Sequence, residues 1–230
     1  MAKEKDIVEK KTLSEKLNVF LTKYGKVFVI VVLIMIVSAI AIGVFNYVQN
    51  KKIQSGFAIF DEITFAFENA RKDLSGEELK VKETELLTKA LELADKNAKN
   101  GLGARAYMFA ADIEFQAKNF ENAVSNWIKA AQANKKSYTA ALAYYNAAVA
   151  SEELNDNEGA IKYFGLAVNN EDFALVNKAL FNLGRVQEAN NAFADAVVTY
   201  NKLCDASPDN SYAQLAKSRI IALQAEGKVE

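Results

Sequence analysis

Residues 104–133 read ARAYMFAADIEFQAKNFENAVSNWIKAAQA, residues 141–170 read ALAYYNAAVASEELNDNEGAIKYFGLAVNN, and residues 177–206 read NKALFNLGRVQEANNAFADAVVTYNKLCDA. Laid over one another, the three segments align without a gap. Position 4 is large in each copy (Tyr107, Tyr144, Leu180). Positions 7 and 8 hold Ala110 and Ala111, Ala147 and Ala148, Leu183 and Gly184. Position 11 holds Glu114, Ser151 and Gln187. Position 20 is Ala123, Ala160 and Ala196, position 24 is Trp127, Phe164 and Tyr200, and position 27 is Ala130, Ala167 and Leu203. Small side chains at 8 and 20 let two helices approach, and the aromatic at 24 fills the gap between them. The period is near that of a helix–turn–helix solenoid. Such arrays build concave surfaces for partners and seldom build active sites.

This order resembles the tetratricopeptide repeat (TPR) family: a large residue at 4, a small pair at 7–8, a small residue at 20, an aromatic at 24, a small residue at 27 and proline at 32. The resemblance covers residues 104–210. Ala123, Ala160 and Ala196 lie 37 and 36 residues apart, so the linkers are two or three residues longer than the family's usual spacing. Pro208, the only proline of the chain, falls in the family's proline position, where the first two copies carry Lys135 and Asp172. The resemblance implies an all-α solenoid.

Composition agrees. The 230 residues include one proline and ten glycines, which favours long helices. A net charge of −1 leaves no electrostatic footprint for nucleic acid. There is no histidine, which removes the commonest general base and most zinc sites. Lone Cys204 has no internal disulfide partner and reads as a structural thiol. Glu77-Glu78 and Glu152-Glu153 are adjacent pairs, which diverge by about 100° on a helix. No phosphate loop or nucleophile elbow is present. The sequence points to no catalytic residue, metal ligand, cofactor or small-molecule substrate.

The chain reads as five parts: residues 1–26, a charged stub; 27–48, a membrane span; 49–103, an amphipathic helical pair forming a degenerate opening repeat; 104–210, the three repeats; and 211–230, a capping helix and tail. The stretch VFVIVVLIMIVSAIAIGVFNYV, Val27 to Val48, contains no charge. Its 22 residues rise about 33 Å as a helix, enough to cross a hydrocarbon core. Tyr24, Phe45 and Tyr47 stand where interfacial aromatics belong. A cleaved signal peptide is the alternative, but Ala39-Ile40-Ala41 lies inside the run rather than after it. Lys10, Lys11, Lys16, Lys23 and Lys26 precede the span, and only Lys51 and Lys52 follow closely. Positive charge stays inside, so the N-terminus is expected in the cytoplasm and the repeats outside it, in the periplasm of a double-membrane bacterium.

In the stub, Thr12 and Glu15 form a candidate capping box, and Leu13, Leu17, Phe20, Leu21 and Tyr24 share one helical face. After the span, Ile53, Phe57, Phe60, Ile63 or Thr64, and Phe67 continue a helical period, so the membrane helix is expected to run on. Ser75-Gly76 marks a break, with Ser75 as cap. Leu79, Leu86, Ala90 and Leu93 form the apolar side of the next helix, which Asn100-Gly101-Leu102-Gly103 is expected to end. Tyr212, Leu215, Ile220 and Leu223 form the apolar side of the capping helix, with Lys217, Arg219 and Gln224 outside.

In the TPR family the first helix of each pair lines the groove through positions 2, 5, 6, 9, 12 and 13. The resemblance therefore implies a protein-binding face made by Arg105, Met108, Asp112 and Phe115 in copy one, by Tyr145, Asn146 and Val149 in copy two, and by Phe181, Asn182 and Arg185 in copy three. Met108, Phe115, Tyr145, Val149 and Phe181 make an apolar strip. Asn146 and Asn182 occupy a position from which an amide pairs with both groups of an extended backbone. The lysine–asparagine clamp for a terminal carboxylate is missing.

The full layout, with Tyr24-Gly25-Lys26 before the span and Gly43, Tyr47 and Lys51-Lys52 at its exit, resembles the YfgM-like family of ancillary subunits of the bacterial translocon. That resemblance implies an inner-membrane protein that meets emerging, unfolded client segments and passes them to periplasmic chaperones. The competing expectation is a static scaffold for envelope assembly or cell division.

Overall fold

The computed structural model describes residues 13–135, 137–170 and 172–230, with only the backbone of Leu13. Thr12, Lys10 and Lys11 lie outside the described residues. Among the described residues all regular structure is helical: α1 (Leu13–Asp73), α2 (Gly76–Lys96), α3 (Gly101–Gln116), α4 (Phe120–Ala133), α5 (Tyr138–Glu153), α6 (Asn157–Ala167), α7 (Val176–Ala189), α8 (Phe193–Ala206) and α9 (Ser211–Ala225). The chain divides into two units, residues 1–55 and residues 56–230.

In the first unit α1 exposes its apolar side chains; Val29, Ile34, Val37 and Ile40 are each more than half exposed. None of its most apolar window is buried. The helix is long and apolar enough to cross a membrane, and a signal sequence meets the same measure. The helix continues without interruption into the second unit, where Ile63, Phe67 and Ala70 become buried.

The second unit is a solenoid. The end of α1 packs with α2 and α3 around Ile63, Phe67, Leu86, Leu93, Leu102 and Ile113. From α2 to α9 each helix packs against the next. Ala123, Ala160 and Ala196 are fully buried, and Trp127, Phe164 and Tyr200 are at most 3% exposed. Gly184 shows why position 8 must be small: an added Cβ would lie 2.4 Å from Cε1 of Tyr200. The hydroxyl of that ring is tied to Glu188, so the ring has little room to retreat. We expect Gly184→Ala to destabilise by about 1–3 kcal/mol through overpacking, despite alanine's better helix propensity. Chemical denaturation of the purified chain measures this, and an unchanged or raised stability would contradict the packing described.

The turn inside each repeat is built the same way three times. Lys118, Asn155 and Asn191, all at position 15, have φ of 63°, 58° and 60°. The amide of position 15 donates to the carbonyl of position 12, from Lys118 to Phe115, Asn155 to Glu152 and Asn191 to Glu188. The next amide donates to position 11, from Asn119 to Glu114, Asp156 to Ser151 and Ala192 to Gln187. These are paired Schellman closures, which satisfy the last carbonyls of the first helix. Asparagine tolerates the left-handed conformation; lysine carries its full steric cost. Lys118→Asn is therefore expected to stabilise by up to about 1 kcal/mol, read as a rise in the denaturation midpoint, with Asn155→Lys doing the reverse.

Several local expectations are corrected. Ser75 stands at the N-cap of α2, but its side chain makes no capping bond; the break is set by Gly76, with φ of +60°. Asn100-Gly101-Leu102-Gly103 does not close α2. Asn100 is the N-cap of α3 and its side-chain oxygen accepts from the amides of Leu102 and Gly103. Neither glycine is left-handed; Gly103 is needed because a Cβ there would lie 2.0 Å from the Asn97 carbonyl oxygen. In α9 the buried residues are Ala213, Ala216 and Leu223, while Leu215 is exposed.

Candidate partner-binding groove

The first helices α3, α5 and α7 carry the expected binding residues, and the structure separates those that line the groove from those that build it. Arg105 is exposed, with its guanidinium 5.5 Å from the centre of the Phe57 ring. Asp112 and Arg185 are exposed too. Met108 and Val149 are half-buried against the repeat core. Phe115 is half-buried and packs within its own repeat, 5.3 Å from Phe120 and 5.4 Å from Trp127.

Tyr145 does not offer its ring to the groove. It is 7% exposed, and its ring packs on Phe164 and Phe173 at 5.4 and 6.1 Å. Its hydroxyl accepts from the Asn182 amide at 3.1 Å, so the two expected backbone readers differ. Asn182 spends one donor inside the protein. Asn146 is half-buried, and its amide makes no hydrogen bond among the described residues.

A second pattern emerges only in three dimensions. A glutamate at position 12 of a first helix pairs with an arginine on the next helix but one. Glu152 of α5 binds Arg185 of α7 at 2.7 Å, and Glu188 of α7 binds Arg219 of α9. Phe115 and Val149 hold the corresponding positions between α3 and α5. At these two positions the junction between α3 and α5 is thus uncharged, and those toward the C-terminus are bridged by ion pairs. No repeat contains both members of a rung, which is why reading the copies one at a time does not find it.

At the C-terminal end lies a cavity of about 510 Å³. Phe181, Arg185, Glu188 and Ala189, positions 5, 9, 12 and 13 of copy three, line one side. Phe193, Tyr200, Arg219 and Lys228 complete it. Burial pushes the Glu188 carboxyl up, but hydrogen bonds from Arg219 and the Tyr200 hydroxyl, with the Arg219 charge, outweigh this and hold it below its ordinary value. Burial and the neighbouring Glu188 push the Tyr200 hydroxyl well up, so it remains a donor. Another hollow, about 410 Å³, lies between the end of α1 and α2, floored by Ile59, Ile63 and Leu86 with Lys82 and Lys89 at its rim.

Two family comparisons bear on this geometry. The chain belongs to the tetratricopeptide repeat-like domain family, whose model matches residues 18–176; a further tetratricopeptide repeat model matches residues 152–211. The first match begins within α1, so the family's domain takes in the apolar helix. The chain is 35% identical over 153 residues to a TPR repeat-containing protein of Treponema pallidum (strain Nichols). That match covers 66% of this chain and 64% of the relative, just under two thirds of the relative's length. A crystal structure of BtubC (BKLC) from P. vanneervenii superposes with a TM-score of 0.44 at 16% identity, over 75% of this chain and 82% of that one. The repeats make this chain a protein–protein interaction module, a role this fold generally fills without catalysis.

Because the Glu188 pKa is lowered in the folded state, its ionic contribution is present above the ordinary carboxylate value of 4.5 and is lost as pH falls through the lowered folded value. Glu188→Gln is expected to cost about 1–3 kcal/mol near neutral pH. The gap between variant and native stability should close as pH drops below about 4.5. Denaturation curves at several pH values measure it; a gap independent of pH would contradict the assigned ion pair.

Proposed function

We propose that this chain is a membrane-anchored module that binds extended segments of other proteins along the face formed by α3, α5 and α7. Residues 27–48 serve as an uncleaved span, with the N-terminus in the cytoplasm and the repeats in the periplasm. The role follows from the resemblance of the layout to the YfgM-like family: the module stands beside the inner-membrane translocon, meets emerging segments and hands them to periplasmic chaperones. The observation that carries the groove reading is the C-terminal cavity. Four of its lining residues occupy the positions through which TPR first helices meet their ligands, and its walls combine aromatic rings with polar side chains. Met108, Phe115 and Val149 extend an apolar track toward copy one. Arg105 and Asp112 stand at its exposed margin, and Asn146 offers the free amide. Ordering a flexible segment costs free energy, so affinity should be on the order of micromolar.

The ion-pair rungs favour a second reading. Charges already paired across the groove make its wall more rigid, which suits a scaffold that holds one folded partner. Crosslinking separates the two. A photoreactive residue at position 185 should capture varied unfolded or nascent segments, and one at outward-facing position 162 should not. Equal capture at both positions removes the groove from consideration; capture of one folded protein at 185 establishes the scaffold instead. A reporter active only outside the cytoplasm, fused after Glu230, should be active if the membrane orientation is right.

A further inference from the structure

We propose that Asp112, at position 9 of α3, is a seat for a lysine or arginine side chain of the bound segment. The inference rests on the groove reading above and names a residue type that the groove selects. Arg185, which holds the same position in copy three, lines the C-terminal cavity. Asp112 is exposed, yet the protein around it displaces enough water to push its carboxyl above the ordinary value. Solvent access together with partial desolvation is what a concave wall gives a side chain. The indole N–H of Trp127 favours the charged carboxylate, but it is buried and lies outside hydrogen-bonding geometry. An anion is thus held where water solvates it poorly and no strong donor takes the water's place.

Among the described residues Asp112 is in no ion pair, and its nearest candidates are held elsewhere. On α1, Arg71 donates to Gln116 at 2.7 Å and lies 3.6 Å from Glu83. On α5 the equivalent position is Val149, and Glu152 beyond it is tied to Arg185 of α7. Arg105 stands seven residues earlier on α3, with its guanidinium over the Phe57 ring. That is about 10 Å along the helix, roughly one screening length at 0.1 M salt. What Asp112 lacks is a cation. A neutral donor leaves its charge uncompensated, whereas a basic side chain offsets it. Met108 and Phe115, four residues before and three after, share its face of the helix. Both are half-buried and apolar, so they take the methylene stem of an incoming lysine or arginine while its head reaches Asp112. The fit is to a side chain with an apolar stem and a charged end, rather than to a bare cation.

The test uses the full chain in detergent micelles and the fluorescence anisotropy of two short blocked peptides. One carries lysine between leucine and phenylalanine; the other carries norleucine in place of the lysine. The native chain should bind the lysine peptide about two- to fivefold more tightly, the scale of a partly exposed ion pair. Salt at about 0.5 M should shrink that preference. Asp112→Asn and Asp112→Ser both remove the charge from an exposed position, and each should bring the two affinities together. Asp112→Glu should keep them apart. Equal affinities for the native chain overturn the basic seat while leaving the groove reading intact. A lysine preference that survives the loss of the carboxylate puts the cation elsewhere and overturns the inference too. If neither peptide binds the native chain, the groove reading fails and takes this inference with it.

Discussion

The structure depends on how closely the two helices of each repeat approach. Position 8 and position 20 must be small because the ring at position 24 lies between them. Gly184 against Tyr200 is the tightest instance, with no space for even one methyl group. Ala148 with Ala160 and Phe164, and Ala111 with Ala123 and Trp127, repeat the contact with an alanine in the glycine's place. These dense interfaces make up for short helices: α6 has 11 residues and is marginal by itself. Once the hairpins are fixed, the outer positions of each first helix are free of the packing between them. Their chemistry can then vary without disturbing the packing.

This explains what was legible in the sequence. Packing positions recur in every copy, so the all-helical solenoid and its register follow from three aligned segments. The apolar run is legible for a different reason, since length and composition alone define it. Local chain reversals were harder. Asn100-Gly101-Leu102-Gly103 suits the end of one helix as well as the start of the next. In the structure Asn100 caps the start of α3, and Gly103 lies against the Asn97 carbonyl where a Cβ has no room. Ser75 has the right chemistry for a cap, yet the adjacent Gly76 already sets the turn.

The candidate groove was only partly legible. Phe181 and Arg185 stand at groove positions of the repeat and line the cavity. Tyr145 holds an equivalent position, but its ring is drawn inward between Phe164 and Phe173. Position alone does not distinguish these cases, because a long side chain at the margin follows whatever space its neighbours leave. Phe193 and Lys228 were missed because they lie outside the first helices. The equivalent spacing of Glu152 to Arg185 and Glu188 to Arg219, 33 and 31 residues, is a signal that a search across copies would have found.

Those rungs also make the solenoid mechanically uneven. To flatten its curve, the concave faces of neighbouring first helices must separate. Between α5 and α7, and between α7 and α9, separation stretches an ion pair that spans the gap. Between α3 and α5 the same positions hold Phe115 and Val149, which carry no charge to pair. The arginine of each rung is about half exposed, so this restraint weakens with ionic strength. The α5–α7 and α7–α9 junctions therefore behave like hinges fitted with a catch, opening only against a directional charge pair.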